Sequence, residues 1–178
     1  RINGLAENGI SFINTGRERD LGAAIAAVNT EGVNQLALDF TASTLIANSR
    51  TYNLRVQYRV GLDGEWTEID MDNPLEYKRN EIPNVDERFI NISLPDEATD
   101  QPYVLVRWKY YYTGIRLTDQ NGARDMIRLD NIRIRQKSAT DPAFLISPAD
   151  QSTDVSVFPV LLWTTANAGD AIYQLQIG

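Results

Sequence analysis

Apolar and polar positions alternate with a period of two along most of the chain, and no stretch holds the spacing of an amphipathic helix for ten residues. The clearest case is TYNLRVQYRVG (51–61), where Tyr52, Leu54, Val56, Tyr58 and Val60 fall on one side and Asn53, Arg55, Gln57 and Arg59 on the other. Such a strand belongs to a sheet with one packed and one wet face, the common state of antiparallel sheets. NQLALDFTAST (34–44) likewise sets Leu36, Leu38, Phe40 and Ala42 against Ala37, Asp39 and Thr41. GISFINTG (9–16) predicts an earlier strand. LGAAIAAVNTEG (21–32) has small residues but no polar face, so it predicts a strand rather than a helix, closed by an Asn-Thr-Glu-Gly turn.

LDGEW (62–66) supplies an Asp-Gly turn, and WTEID (66–70) reads as the return strand of a hairpin. A polar loop is expected from Met71 to about Arg88, and then RFINISLP (88–95) sets Phe89, Asn91 and Ser93 opposite Ile90, Ile92 and Leu94. In YVLVRWKYYYTG, parity sends Val104, Val106, Trp108, Tyr110 and Tyr112 to the core and Leu105, Arg107, Lys109 and Tyr111 the other way. A buried tyrosine hydroxyl needs a partner, which predicts that Tyr110 or Tyr112, near the strand's end, reaches solvent. The strand MIRLDNIRIRQK (126–137) changes its apolar face between Leu129 and Ile132. Since a slip of one residue reverses the faces, a bulge or bend is expected at Asp130 and Asn131.

Seven or eight strands with no crossover helices predict an all-β fold, an antiparallel sandwich or barrel, over residues 1–138. Small residues and prolines punctuate the segment that follows, so 139–147 is expected to be a linker. VFPVLLWTT and AIYQLQIG, joined by ANAGD, read as strand, turn and strand, and 148–178 is too short to close a core alone. These strands therefore open an incomplete domain or are completed by a partner chain.

Charge narrows the partners. With 24 acidic against 17 basic residues, the net charge of −7 opposes nonspecific attraction to nucleic acid or anionic lipid. No run approaches the apolar length of a membrane span, so no membrane insertion is expected. The absence of cysteine excludes disulfides and thiolate chemistry, and the absence of histidine excludes a Ser-His-Asp relay. Nucleotide-binding glycine fingerprints are missing too, so no enzyme is expected. The opening RINGLAENG carries no Met or tag and reads as a processed or excerpted segment, upstream of which an export signal could have stood.

Two resemblances accompany this reading. SPADQSTDVSVFPVLLWTTANAGDAIYQLQIG is similar to the opening of fibronectin type III-like modules of bacterial surface and secreted proteins. The matching residues are Pro148, Ala149, Asp150, Val155, Ser156, Pro159, Leu161 or Leu162, Trp163, Ala168, Gly169, Tyr173, Leu175 and Gln176, and the resemblance makes Trp163 a core residue. YNLRVQYRVGLDGEWTEI, FINISLP, VLVRWKYYYTG and ARDMIRLDNIRI resemble the jelly-roll, galactose-binding-like domains of large exported bacterial proteins. Their closing strand has a hydrophobic-x-Asp-(Asn or Asp)-Ile-x-Ile pattern, matched by Leu129, Asp130, Asn131, Ile132 and Ile134. The resemblance implies a jelly-roll sandwich, an extracellular or cell-surface location, and for some relatives glycan binding.

The resemblance also implies that Asp130 could hold a structural calcium, which would need partners such as Glu7, Asn8 or Asp125. The alternative is an Asx-type backbone cap or an ion pair with an arginine. Arg55, Arg59, Arg107 and Lys109 share the outward parity of two strands and form a cationic stripe if those strands are neighbours. The stripe either recognises an acidic sugar or other anion, or pairs across strands with Asp39, Glu65, Glu68 or Asp70. Trp66 and Tyr111 are the aromatic contact candidates. The function expected first is a non-catalytic structural or adhesion unit in a larger bacterial surface or filamentous assembly, joined to other chains by strand pairing. The alternative is a carbohydrate-binding module recognising a glycan.

Overall fold

The computed structural model describes residues 1–13, 22–114, 122–137, 144–147 and 162–164. The chain divides into two compact units, Arg1–Gln136 and Lys137–Gly178. In the first unit, strands β1 (Ile2–Gly4), β2 (Ile10–Phe12), β4 (Leu36–Ile46), β8 (Asp86–Ser93) and β10 (Met126–Gln136) make one sheet, in the order β1-β2-β10-β4-β8. The other sheet runs β3 (Ala23–Val28), β9 (Val104–Tyr112), β5 (Tyr52–Val60) and β6 (Thr67–Glu68), with β7 (Glu76–Tyr77) also paired to β5. All these pairings are antiparallel, and successive long strands alternate between sheets. This is an all-β, jelly-roll-like sandwich.

The period of two places the core. Tyr52, Leu54, Val56 and Tyr58 of β5 and Val104, Val106, Trp108 and Tyr110 of β9 are buried, facing Leu38, Phe40, Ala42, Ile127 and Leu129 of the opposite sheet. Trp108 meets Phe40 edge-on at 5.9 Å, and Tyr110 stacks between Tyr52 at 4.3 Å and Phe12 at 5.9 Å. Of the two tyrosines near the strand's end, Tyr112 is partly exposed and Tyr110 is buried. Its hydroxyl donates to the backbone carbonyl of Asp125 at 2.6 Å, which removes the need for water.

The bulge expected in β10 is present: the β10–β4 register shifts between Asp130 and Arg133, and Asn131 has φ of 52°. A second irregularity faces it across β4. The β4–β8 register shifts between Leu38 and Phe40, and Asn91 has φ of 57°. Strict alternation in RFINISLP is therefore broken, and both Phe89 and Ile92 pack against the core, Phe89 stacked on Phe40 at 4.3 Å. Asp39 holds the two irregularities together, accepting the Asn91 amide at 2.7 Å and the Arg135 Nε at 3.2 Å.

The stretch from Met71 to Arg88 is not all loop. It contains β7, whose Tyr77 is fully buried with its hydroxyl bonded to Thr44 Oγ1 at 2.8 Å, and the first residues of β8. In the second unit, β11 (Phe144–Ser147) pairs with β12 (Leu162–Thr164), so a strand stands inside the stretch expected to be a linker. Trp163 lies in β12, and most other residues of the fibronectin-like resemblance fall outside the described residues.

Candidate functional site

The register of β5 with β9 assembles one outward face from residues far apart in sequence. Arg55 lies opposite Lys109, Gln57 opposite Arg107, Arg59 opposite Leu105, and Asn53 opposite Tyr111. On one flank β6 brings Glu68 opposite Gln57, and β7 brings Glu76 opposite Arg55. On the other flank β3 adds Ala23 beside Lys109 and the exposed Ile25 beside Arg107. The predicted stripe of Arg55, Arg59, Arg107 and Lys109 is thus one continuous surface, because its two strands are hydrogen-bonded neighbours.

The four cations do not share one environment. Arg55 pairs with Glu76 at 2.6 Å and Glu68 at 3.3 Å, and donates to the Tyr111 hydroxyl at 3.2 Å. Tyr111 in turn donates to Glu76, which also accepts Asn53 Nδ2 at 2.7 Å. Burial acts against the charge on Arg55, but the bonds to Glu76 and Tyr111 outweigh it and hold its pKa above the usual value. Burial also acts against ionised Glu76, and the bonds from Tyr111, Arg55 and Asn53 outweigh that effect, lowering its pKa. Burial raises the Tyr111 pKa, as does its bond to Glu76. Arg55 therefore follows the cross-strand pairing alternative. Glu76, missed in the sequence because its loop was not recognised as a strand, is the main partner. Asp39 is not a partner, since it lies in the other sheet and pairs with Arg135.

Arg59 and Arg107 behave differently. Both guanidinium carbons lie over the ring of Trp66, at 4.6 and 4.1 Å from its centroid. Such contacts contribute about 0.5 to 2 kcal/mol each, rising with desolvation. Arg107 also donates to Gln57 Oε1 from Nε at 2.9 Å and Nη2 at 2.5 Å. Burial, then the nearby charge of Arg59, lower the Arg107 pKa. Arg59 and Lys109 have no hydrogen bond or ion pair among the described residues, and Arg59 Nε is buried without a partner. Trp66 is half-buried, reaching this face because it follows the hairpin turn after β5.

The calcium candidates separate. Gly9 follows Glu7 and Asn8 and lies so close to β10 that an added Cβ would stand 2.9 Å from Asp130 Oδ1 and 2.4 Å from the Leu129 carbonyl oxygen. Glu7 and Asn8 thus come into the neighbourhood of Asp130, whose Oδ1 already accepts the Asn131 amide at 2.7 Å in an Asx-type contact. Asp125 belongs elsewhere. It is fully buried, accepts the Asn48 and Tyr52 amides at 2.6 and 2.9 Å, and lies 3.5 Å from Arg79 Nε. Five residues of extended chain, about 16 Å, separate it from Asp130. Among the described residues no group of three or more acidic side chains could hold a metal ion. Calcium takes six to eight oxygens, so Asp130, Glu7 and Asn8 would need carbonyl oxygens of this turn to complete a site.

Fold and surface together define a β-sandwich module with a cationic, aromatic sheet face. No family model matches the chain, and no curated protein matches it. Among solved structures the chain is similar to one described as "Family 16 Carbohydrate Binding Module-2", at 15% identity and a TM-score of 0.37, covering 71% of this chain and 75% of the other. No helix among the described residues is long and apolar enough to cross a membrane.

Proposed function

We propose that this chain is a carbohydrate-binding module whose glycan lies across the outward face of β9 and β5, beside Trp66. The observation that carries this reading is the Trp66 ring held by Arg59 and Arg107 on a face that also carries Gln57 and Lys109. A sugar offers apolar C–H faces and a rim of hydroxyls, and a sheet surface combining an aromatic ring with planar hydrogen-bonding groups meets both needs. The extracellular or cell-surface location suggested by the jelly-roll resemblance belongs to this proposal. The test is a glycan array followed by calorimetry on any hit. Trp66→Ala should weaken binding at least tenfold, while Arg88→Ala on the other sheet should leave it unchanged. An array with no hits sinks the reading.

One observation supports the structural and adhesion role as a second reading. β3 has the sequence AAIAAV, stands at the edge of its described sheet, and exposes Ile25, with no charge or proline to block strand addition. Sedimentation showing a monomer at all concentrations, with no partner strand captured, would remove this support.

A further inference from the structure

The outward face of β5, β9, β6 and β7 carries four cations, Arg55, Arg59, Arg107 and Lys109, against two carboxylates, Glu68 and Glu76. Both carboxylates are bonded to Arg55. Among the described residues none of Arg59, Arg107 and Lys109 has an ion pair, although Glu68 acts on Arg107 from a distance, in a chain whose net charge is −7. Among the described residues the adjacent strand supplies no countercharge, since its outward residues here are Ala23, Ile25 and Ala27.

Arg59 and Arg107 repel each other while both contact Trp66, and a bound anion would relieve that repulsion. Two guanidiniums converge on a single indole ring, where each raises the potential felt by the other. Stacking leaves the terminal nitrogens of Arg59 unbonded among the described residues, whereas Arg107 gives Nε and Nη2 to Gln57 and keeps Nη1; such planar donors fit a carboxylate or sulfate. Arg59 keeps a buried Nε with no acceptor. Lys109 lies on the same strand face as Arg107, about 7 Å along it, so an elongated ligand could meet both.

We propose that the glycan bound on this face is acidic, with carboxylate or sulfate groups docking on Arg59, Arg107 and Lys109 beside Trp66. This rests on the carbohydrate-binding reading and narrows its ligand class. The face selects for charge on the ligand.

Affinity electrophoresis of the full chain in two matched pairs of polymers tests this: polygalacturonate against its methyl ester for carboxylate, and dextran sulfate against dextran for sulfate. The charged member of at least one pair should retard the chain at least tenfold more strongly than its neutral counterpart. Added salt should reduce the difference. Arg59→Gln with Arg107→Gln should bring retardation down to the neutral level. Lys109→Gln, at a half-exposed residue without partners, should reduce it severalfold and guards against a misfolded arginine variant. Equal retardation by charged and neutral polymers overturns the acidic ligand but leaves carbohydrate binding standing. No retardation by any polymer overturns both, and equal retardation by a thymidine oligonucleotide shows indiscriminate anion capture and also overturns the proposal.

Discussion

Replacing Gly9 with alanine tests the junction between the N-terminal turn and the closing strand. Gly9 has φ of 77° and ψ of −133°, a conformation that side chains avoid, and forcing an alanine into it costs about 1 to 3 kcal/mol. The new methyl would also stand 2.4 Å from the Leu129 carbonyl oxygen, a backbone atom fixed by the pairing of Leu129 with Ile10. The contact can be relieved only if β2 moves away from β10. That movement exposes part of Phe12, which is 1% exposed and stacked on Tyr110, and full exposure of such a side chain costs about 1.5 to 3 kcal/mol. Strain and lost burial together give an expected loss of about 3 to 5 kcal/mol, a large share of the roughly 5 to 15 kcal/mol that holds a domain folded.

Urea denaturation followed by tryptophan fluorescence measures this loss, and thermal melting should show a fall of about 10 °C. Gly4→Ala is the control on the same hairpin. No atom lies within 4 Å of its added Cβ, so its stability should stay within about 0.5 kcal/mol of the parent. An unchanged midpoint and slope for Gly9→Ala would refute the close approach of this turn to Leu129 and Asp130.

Glu76 should dominate the acid limb of the outward face. Its folded pKa lies below the ordinary 4.5, so its stabilising contribution is complete above that value and is lost as pH falls through the folded pKa. The stability gap between the parent and Glu76→Gln should therefore be constant near pH 6 to 7 and close at acid pH, as pH-resolved urea melts would show; a gap that widens in acid contradicts the network. Asp125→Ala leaves the Tyr52 and Asn48 amides and Arg79 without their carboxylate, and should destabilise by about 3 to 5 kcal/mol. A loss below about 1 kcal/mol in the same melts would show that water replaces the carboxylate there.

The sandwich was legible because β5 and β9 keep their alternation throughout, so that a period of two is enough to expose their core residues. The bulge at Asn131 was legible for the same reason, since Leu129 and Ile132 differ in parity. The bulge at Asn91 was not, because Phe89, Ile90 and Ile92 supply apolar residues of both parities and alternation cannot show where the register shifts. β7 escaped because two residues carry no periodicity, although Tyr77 amid polar neighbours was a usable signal. The outward stripe followed from parity alone. The division of its members, with Arg55 neutralised and Arg59 and Arg107 placed on Trp66, depends on cross-strand register, which no local pattern encodes.

Asp39 touches both irregularities of its sheet, and its partners lie 52 and 96 residues away along the chain. Neither contact can form until a long loop has closed, and the second requires nearly the whole domain to have been traversed. The carboxylate thus joins three strands through contacts that are distant in sequence. β8 and β10 must both arrive in register before its two oxygens are satisfied, which makes completion of this sheet cooperative and places the domain among folds whose rate is set by distant contacts.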